Sequence, residues 1–269
     1  MIKVRLISGP TNIDRKLSIM WQASKTSNAI DYDPPVDITL LGRLLHEDVP
    51  IVRHFYFTFL LENMTISFRE QLVRSQYDHY WIQSGRITNW DTAYFELPAC
   101  TKDNNRLKCL ANNAINSIHA FVHACTHEKI NPEDYRDLIP CGAHHRGIWT
   151  ANLQSLATRF KKRTCWIAQN DKWFPVLYQV SEELRAYHPA LINLAIPPCR
   201  DINWNWCDCP MHETMLDRYE GTDPLPVCPA WAAANNKTNV HDILVANRSR
   251  VSQFERMWGH DITTGRPKR

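Results

Sequence analysis

Residues 54–86 read HFYFTFLLENMTISFREQLVRSQYDHYWIQSGR. The first eight, 54–61, are rich in aromatics and suit a buried strand. Residues 65–75, TISFREQLVRS, follow with Ile66, Leu72 and Val73 apolar in a helical pattern. The same stretch then turns polar. Gln71 and Arg74, followed by Gln83, Ser84, Gly85 and Arg86, bring two guanidinium groups, a hydroxyl and two amides together in the chain. Arginine presents a planar fork of donors that matches a phosphate or a pyrimidine edge. A strand, a helix and a cluster of anion-binding side chains are therefore read from one segment.

Upstream, residues 2–7, IKVRLI, alternate apolar and charged as in a half-buried strand. A Gly-Pro turn and Asn12-Ile13-Asp14 precede a helix expected over 15–25. Residues 37–46, DITLLGRLLH, read as a second helix that Asp37 can cap. Downstream, residues 107–127 are helical and amphipathic. Asn131-Pro132-Glu133-Asp134 is a strong helix start, with proline in the first turn and acids at the positive helix end. Pro140 ends that short helix. Residues 149–187 hold the longest helical pattern, with Leu153, Leu156, Phe160, Ile167 and Ala168, and Pro175 is expected to kink or divide it.

A second polar patch comprises Arg136, Asn152, Arg159, Arg163 and Gln169. On a helix Asn152, Arg159 and Arg163 share one face, because they are seven and four residues apart. Such a stripe is also what a solvated helix face looks like. His46-Glu47 and His54 can form a polar pair or serve as hydrogen-bonded structural histidines. The chain holds no glycine-rich phosphate loop, no Ser/His/Asp order and no zinc-protease helix.

The chain has 269 residues, 44% of them hydrophobic and 22% charged, which is enough apolar material for a packed core. A net charge of +3 gives no general attraction to nucleic acid or membrane. No apolar run reaches the roughly 18 residues of a membrane helix, and the N-terminus lacks the pattern of a signal peptide. A cytoplasmic protein is expected. Nine cysteines in a reducing compartment argue against a disulfide framework. Cys100, Cys109, Cys125, Cys141 and Cys165 are scattered and read as small buried apolar residues.

After Pro189 the chain changes style. Residues 197–231 hold six prolines, four cysteines and three tryptophans with little periodicity, which reads as a small loop-rich module. Cys199, Cys207, Cys209 and Cys228, with His212 as an alternative ligand, offer five soft donors in thirty residues. Four such donors suit a closed, structural zinc site, and the metal would supply folding energy that a small core cannot. The alternative is a loop cap whose cysteines pack against Trp204, Trp206 and Trp231. The polar tail 232–269 ends in TTGRPKR, which reads as disordered.

The order of these pieces resembles the flavin-dependent thymidylate synthase family. His46-Glu47, then His54 opening an aromatic strand, then RSQYDHYWIQSGRI from Arg74 to Ile87 is similar to the family's front half. That last segment stands where the family has RHRxxSxNExSxRY, with Arg74, Ser84 and Arg86 in register. PEDYRDLIP, residues 132–140, resembles the family's short helix with an arginine before a Leu-Pro-like ending. NLQSLATRFKKRTCWIAQ, residues 152–169, resembles its NxRSLxxFxxLRxxxxAQ helix.

The resemblance implies an α+β fold, a mixed or antiparallel sheet flanked by helices, over a catalytic domain at 1–190, with the cysteine-rich module and tail at 191–269. It implies one-carbon transfer to C5 of dUMP, bound FAD, methylenetetrahydrofolate as donor, NADPH as reductant and a homotetramer with active sites at subunit interfaces. Gln71, Arg74, Gln83, Ser84, Gly85, Arg86 and Arg136 would hold the nucleotide. Arg163 would face the pyrimidine ring as the catalytic group, because an always-charged donor stabilises the ionised ring. His46, Arg74, Ser75, Gln76, Ile82, Asn152, Gln154 and Thr158 occupy the flavin-side positions. Departures concentrate there: the family's RHR is Arg74-Ser75-Gln76, its Asn-Glu is Trp81-Ile82, the arginine of NxRSL is Gln154, and the histidine before Ala-Gln is Ile167. Neutral groups replace charged ones, so a hydroxymethyl transfer to dUMP or dCMP, which needs no net reduction of the carbon, is the alternative reaction. A non-catalytic nucleotide-binding relative is the alternative of another class.

Overall fold

The structure is a computed structural model that describes residues 2–25, 35–46, 49–102, 104–163 and 173–195. Glu47, Cys165, Ile167, Ala168, Gln169 and all of 196–269, including the five candidate zinc ligands, lie outside the described residues. The chain divides into two compact units, one of residues 1–7 and 58–150 and one of residues 8–57 and 151–269.

The strand expected at 2–7 is β1, Lys3–Ser8, and the aromatic strand is β2, Tyr56–Thr65. Along β2 burial follows the two-residue period, with Phe57, Phe59 and Leu61 fully buried and Thr58, Leu60 and Glu62 half-buried between them. The strand passes into helix α3, Ile66–Leu72, without a loop, because Thr65 accepts from the Phe68 amide at 3.2 Å and so caps the helix. Two further strands complete a sheet in the order β1-β2-β4-β3: β3, His79–Ile82, and β4, His144–Asn152. β3 and β4 are antiparallel, with Trp81 opposite Ile148 and Tyr80 opposite Trp149.

β4 corrects the expected long helix, since residues 149–152 lie in a strand. Val or Ile content does not mark it; its burial alternates instead, with His145, Gly147, Trp149 and Ala151 inside. That period serves a sheet, and cross-strand pairing to β3 overrides the apparent helical pattern. The helix starts at Leu153, where Asn152 Oδ1 accepts from the Ser155 amide at 2.9 Å. Pro175 is the third residue of the helix Trp173–Tyr187, where a missing N–H costs little; residues 164–172, between it and the helix at 153–163, lie outside the described residues.

In the first unit the long helix α4, Asn105–His127, carries Val122 and Cys125 into a cluster with Trp90, Phe95, Tyr135, Ile139 and Ala143. Tyr135 closes α5, Pro132–Tyr135, which Asn131 caps through its side chain at 3.0 Å to the Glu133 amide. Gly142 is required here: a Cβ would stand 2.5 Å from the Glu96 carbonyl, and Glu96 N donates to the Gly142 carbonyl at 2.9 Å.

In the second unit α1, Ile13–Lys25, α2, Leu40–His46, α6, Leu153–Arg163, and α7, Trp173–Tyr187, bury Leu17, Leu41, Leu44, Leu156, Phe160, Val176 and Leu184. Asp37 does not cap α2 through its side chain: it accepts 2.9 Å and 2.7 Å bonds from the amide and hydroxyl of Thr39, the residue before the helix, and it pairs with Arg43 at 2.7 Å. Those Thr39 bonds, together with Arg43, hold its carboxyl below the usual range. Asp14, in the first turn of α1, pairs with His188 just past α7 at 2.9 Å.

The scattered cysteines are corrected in part. Cys125 is buried, but Cys100, Cys109 and Cys141 are exposed, on a short 3-10 turn, on the outer face of α4 and in the loop after Pro140. Among the described residues no helix is long and apolar enough to cross a membrane.

Candidate active site

Two groups of site residues emerge, one in each unit. In the first unit Gln83 continues the ladder beyond β3: its amide donates to the Arg146 carbonyl at 3.0 Å and its Oε1 accepts from the Arg146 amide at 3.3 Å. The chain then turns at Ser84-Gly85-Arg86. Ser84 Oγ accepts from the Arg86 amide at 3.3 Å, Thr88 Oγ1 donates to the Ser84 carbonyl at 2.6 Å, and Trp90 Nε1 donates to the Gly85 carbonyl at 3.1 Å. Trp90 is buried, so the turn is tied to the core while Arg86 remains exposed.

Arg86 reaches Glu133, with Nε 3.0 Å from Oε1. Arg136, one turn further along the short helical segment, places Nη2 3.8 Å from the same oxygen. Two arginines fifty positions apart in the sequence thus share one acceptor. The three side chains are 62%, 45% and 38% exposed for Arg86, Glu133 and Arg136, so the forks keep donors open to solvent. The two guanidiniums and the one carboxylate leave a net positive charge at this exposed place. Arg74 is not part of this set; it is exposed just beyond α3, as is Gln76, Gln71 is exposed in the last turn of α3, and Ser75 and Ile82 are half-buried.

Glu133 entered the sequence reading only as a helix-start acid. Asp78 did not enter it at all. It is buried and accepts from Trp149 Nε1 at 3.0 Å, which fastens β3 to β4 and so sets where the 83–86 turn begins. A lone aspartate in a variable part of the motif carries no signal for that role.

His145 is the other buried polar group of this unit. It is 3% exposed, its ring packs edge-on against Trp90 with centroids 5.1 Å apart, and neither ring nitrogen has a hydrogen-bond partner. Burial, with Arg69 and His144 nearby, pushes its pKa down to about 4, so the imidazole is neutral at physiological pH.

The second group lies on α6. Asn152 is buried and caps the helix. Thr158 Oγ1 donates to the Gln154 carbonyl at 3.0 Å, and Gln154 Oε1 accepts from Arg53 Nε. Of His46 only the backbone is described, at the end of α2, and His54 is exposed at the end of a 3-10 helix, Pro50–His54.

Arg159 and Arg163 share a face as the spacing predicts, but the face is not simply solvated. Arg159 is 9% exposed, and both guanidiniums lie over the Trp173 ring, with Cζ 5.0 Å and 5.6 Å from its centroid. Trp173 itself is 1% exposed. The ring quadrupole attracts both cations and offsets the repulsion between two like charges one turn apart. Trp173 was missed because it lies ten residues beyond Arg163, outside any helical spacing.

Among the described residues no cluster of histidine, cysteine or acidic side chains forms a metal site.

Comparison with known proteins bears on the family and the fold. The family model described as thymidylate synthase complementing protein matches residues 13–190. Flavin-dependent thymidylate synthases from Saccharolobus solfataricus and Sulfolobus acidocaldarius are 24% and 22% identical over 74% of this chain and 78% of theirs. Among solved structures, the UMP/dUMP methylase PolB from Streptomyces cacaoi, bound with 5-Br dUMP, superposes with a TM-score of 0.59 at 16% identity, covering 71% of this chain and 93% of that one. Thymidylate synthase X from Helicobacter pylori, with FAD and dUMP, gives 0.54 at 14% identity, covering 71% and 97%. At these identities the superpositions establish a shared α+β fold, while the family model spans most of the chain: the protein belongs to the family of flavin-dependent thymidylate synthases.

Proposed function

We propose that the chain transfers a one-carbon unit to C5 of a pyrimidine deoxynucleoside monophosphate, converting dUMP to dTMP. Its family is one of one-carbon transferases, and its curated relatives are named for that reaction. The observation that carries the reading is the convergence of Arg86 and Arg136 on one Glu133 oxygen: two guanidiniums and one carboxylate leave a net positive charge, and a phosphate would take the place of the carboxylate between them. In this reading Ser84 and Gly85 shape the turn that presents Arg86, and Gln71, Arg74 and Gln83 add donors. Arg163 faces the pyrimidine and stabilises the negative charge that develops as C5 becomes nucleophilic.

The family positions that would hold FAD are His46, Arg74, Ser75, Gln76, Ile82, Asn152, Gln154 and Thr158. In the second unit Asn152 and Thr158 offer an amide and an exposed hydroxyl for that role. FAD supplies the redox chemistry of the transfer when bound. Methylenetetrahydrofolate is the proposed carbon donor, NADPH the reductant and a homotetramer the working assembly. The neutral Ser75, Gln76, Ile82 and Gln154 favour a second reading, transfer of a hydroxymethyl group to dUMP or dCMP, because that product needs no net reduction. For the 191–269 module we propose a structural zinc held by Cys199, Cys207, Cys209 and Cys228, with His212 in reserve; elemental analysis finding no metal in carefully prepared protein ends that idea.

The deciding experiment incubates the protein with dUMP or dCMP and methylenetetrahydrofolate, with and without NADPH, and weighs the nucleotide products. A methyl mass increment that requires NADPH supports the first reading. A hydroxymethyl increment without NADPH supports the second, and unchanged nucleotides under all conditions sink both.

A further inference from the structure

The flavin-side position where the family carries the arginine of NxRSL is Gln154 in this chain. The structure brings a guanidinium back to that position from another element. Arg53, on the 3-10 helix Pro50–His54, donates through Nε to Gln154 Oε1. This meeting is fixed by the backbone. Phe55, two residues on, accepts from the Leu153 amide at 2.9 Å, the residue before Gln154. Val52 and Phe55 are buried on either side, so the segment is clamped while Arg53 itself is exposed.

We propose that Arg53 is a flavin-nucleotide-binding residue: it supplies the positive charge that position 154 lacks and holds a phosphate of the cofactor. The proposal rests on the reading that position 154 faces the flavin nucleotide. Gln154 engages one of the five N–H donors of the guanidinium, and the exposed side chain leaves its terminal amino groups room for a second acceptor. Two parallel donors on one planar group match two oxygens of a phosphate, which is charged in every redox state of the flavin. Gln154 then acts as the positioning residue, because its amide oxygen orients the fork. The half-buried glutamine and the exposed arginine together place a guanidinium at the position where the family motif carries one, from a different anchor point.

The test is direct binding to the full-length apoprotein, with FAD and with riboflavin, which has the same ring and no phosphate. Arg53→Gln should weaken FAD binding by about tenfold to a hundredfold, the size of a lost charge-assisted contact, and change riboflavin binding less than about twofold. Arg53→Gln combined with Gln154→Arg should regain FAD affinity, since the charge returns to the same place. Thermal melting of each variant checks that the fold is kept. Unchanged FAD affinity in a folded Arg53→Gln protein overturns the proposal and leaves the flavin reading intact. Equal losses for FAD and riboflavin overturn the assignment to phosphate, and no recovery in the double variant overturns the equivalence of the two positions. A wild-type protein that binds no FAD removes the flavin reading and this proposal together.

Discussion

The arginines around Glu133 in the first unit and the α6 residues of the second are held by different means. Arg86, Glu133 and Arg136 are largely exposed and are gathered by ion pairs at the rim of a tied turn. Arg159 and Arg163 are drawn against a fully buried indole, and Asn152 is consumed by a helix cap. An exposed ion pair contributes little to stability and can exchange its carboxylate for another anion. A guanidinium packed on a buried ring is preorganised and cannot swing away without disturbing the core. The first arrangement suits gripping a ligand, and the second suits aiming a charge at a chosen atom.

If that contrast is right, Arg163→Lys has the largest effect. The charge stays, but a flexible ammonium cannot donate to two edge atoms of a pyrimidine at once. Turnover should fall by about 10²–10³, with nucleotide affinity much less affected, in steady-state kinetics combined with equilibrium binding. Wild-type kinetics in this variant would place Arg163 outside the chemistry.

The next effect concerns stability and sharpens the contrast in burial. His145 has a folded pKa of about 4 against an ordinary value of 6.5. Between those values the unfolded chain takes up a proton and the folded chain does not, so stability should fall as pH drops from about 6.5 to about 4 and then level off. The full loss is on the order of 3 kcal/mol. Denaturant unfolding at a series of pH values, in the wild type and in His145→Phe, should show a shallower acid dependence in the variant. Parallel curves would mean that His145 is not the group responsible.

Arg86→Ala should act on binding. A phosphate contact works equally in the ground and transition states, so KM should rise about ten- to a hundredfold with kcat nearly kept. The opposite pattern, a collapsed kcat at unchanged KM, would erase the distinction between the two groups.

The smallest effect is at the ring itself. Trp173→Phe keeps an aromatic face with a weaker quadrupole and should cost about 1 kcal/mol, or roughly 2–4 °C in Tm. In an Arg159→Ala, Arg163→Ala background the same substitution should cost measurably less. Equal costs in both backgrounds would mean that the indole contributes packing alone.

Much of this was legible in the chain. The aromatic richness of residues 54–61 placed β2, Asn131-Pro132 placed α5, and the spacing of Arg159 and Arg163 put them on one face. The segment 149–152 misled, because the helical pattern of Leu153, Leu156 and Phe160 was carried back into the end of a strand whose partner is not visible in the sequence. β3 was unreadable for the same reason: four residues with two exposed positions carry too short a period to register.

The sequence by itself determined the family, through the order of polar motifs along the chain, and it determined which residue types are available for the chemistry. Those are one-dimensional properties, carried by spacing and by the side chains themselves. Only the tertiary structure decided which groups meet. Arg86 and Arg136 share Glu133, Arg53 stands on Gln154, and Trp173 receives two guanidiniums. Apart from the one-turn step from Glu133 to Arg136, each of these contacts joins residues that are far apart in the chain. Pairing of that kind depends on how buried apolar faces dock and on which backbone hydrogen bonds remain to be satisfied, and neither is written in the local pattern of the chain.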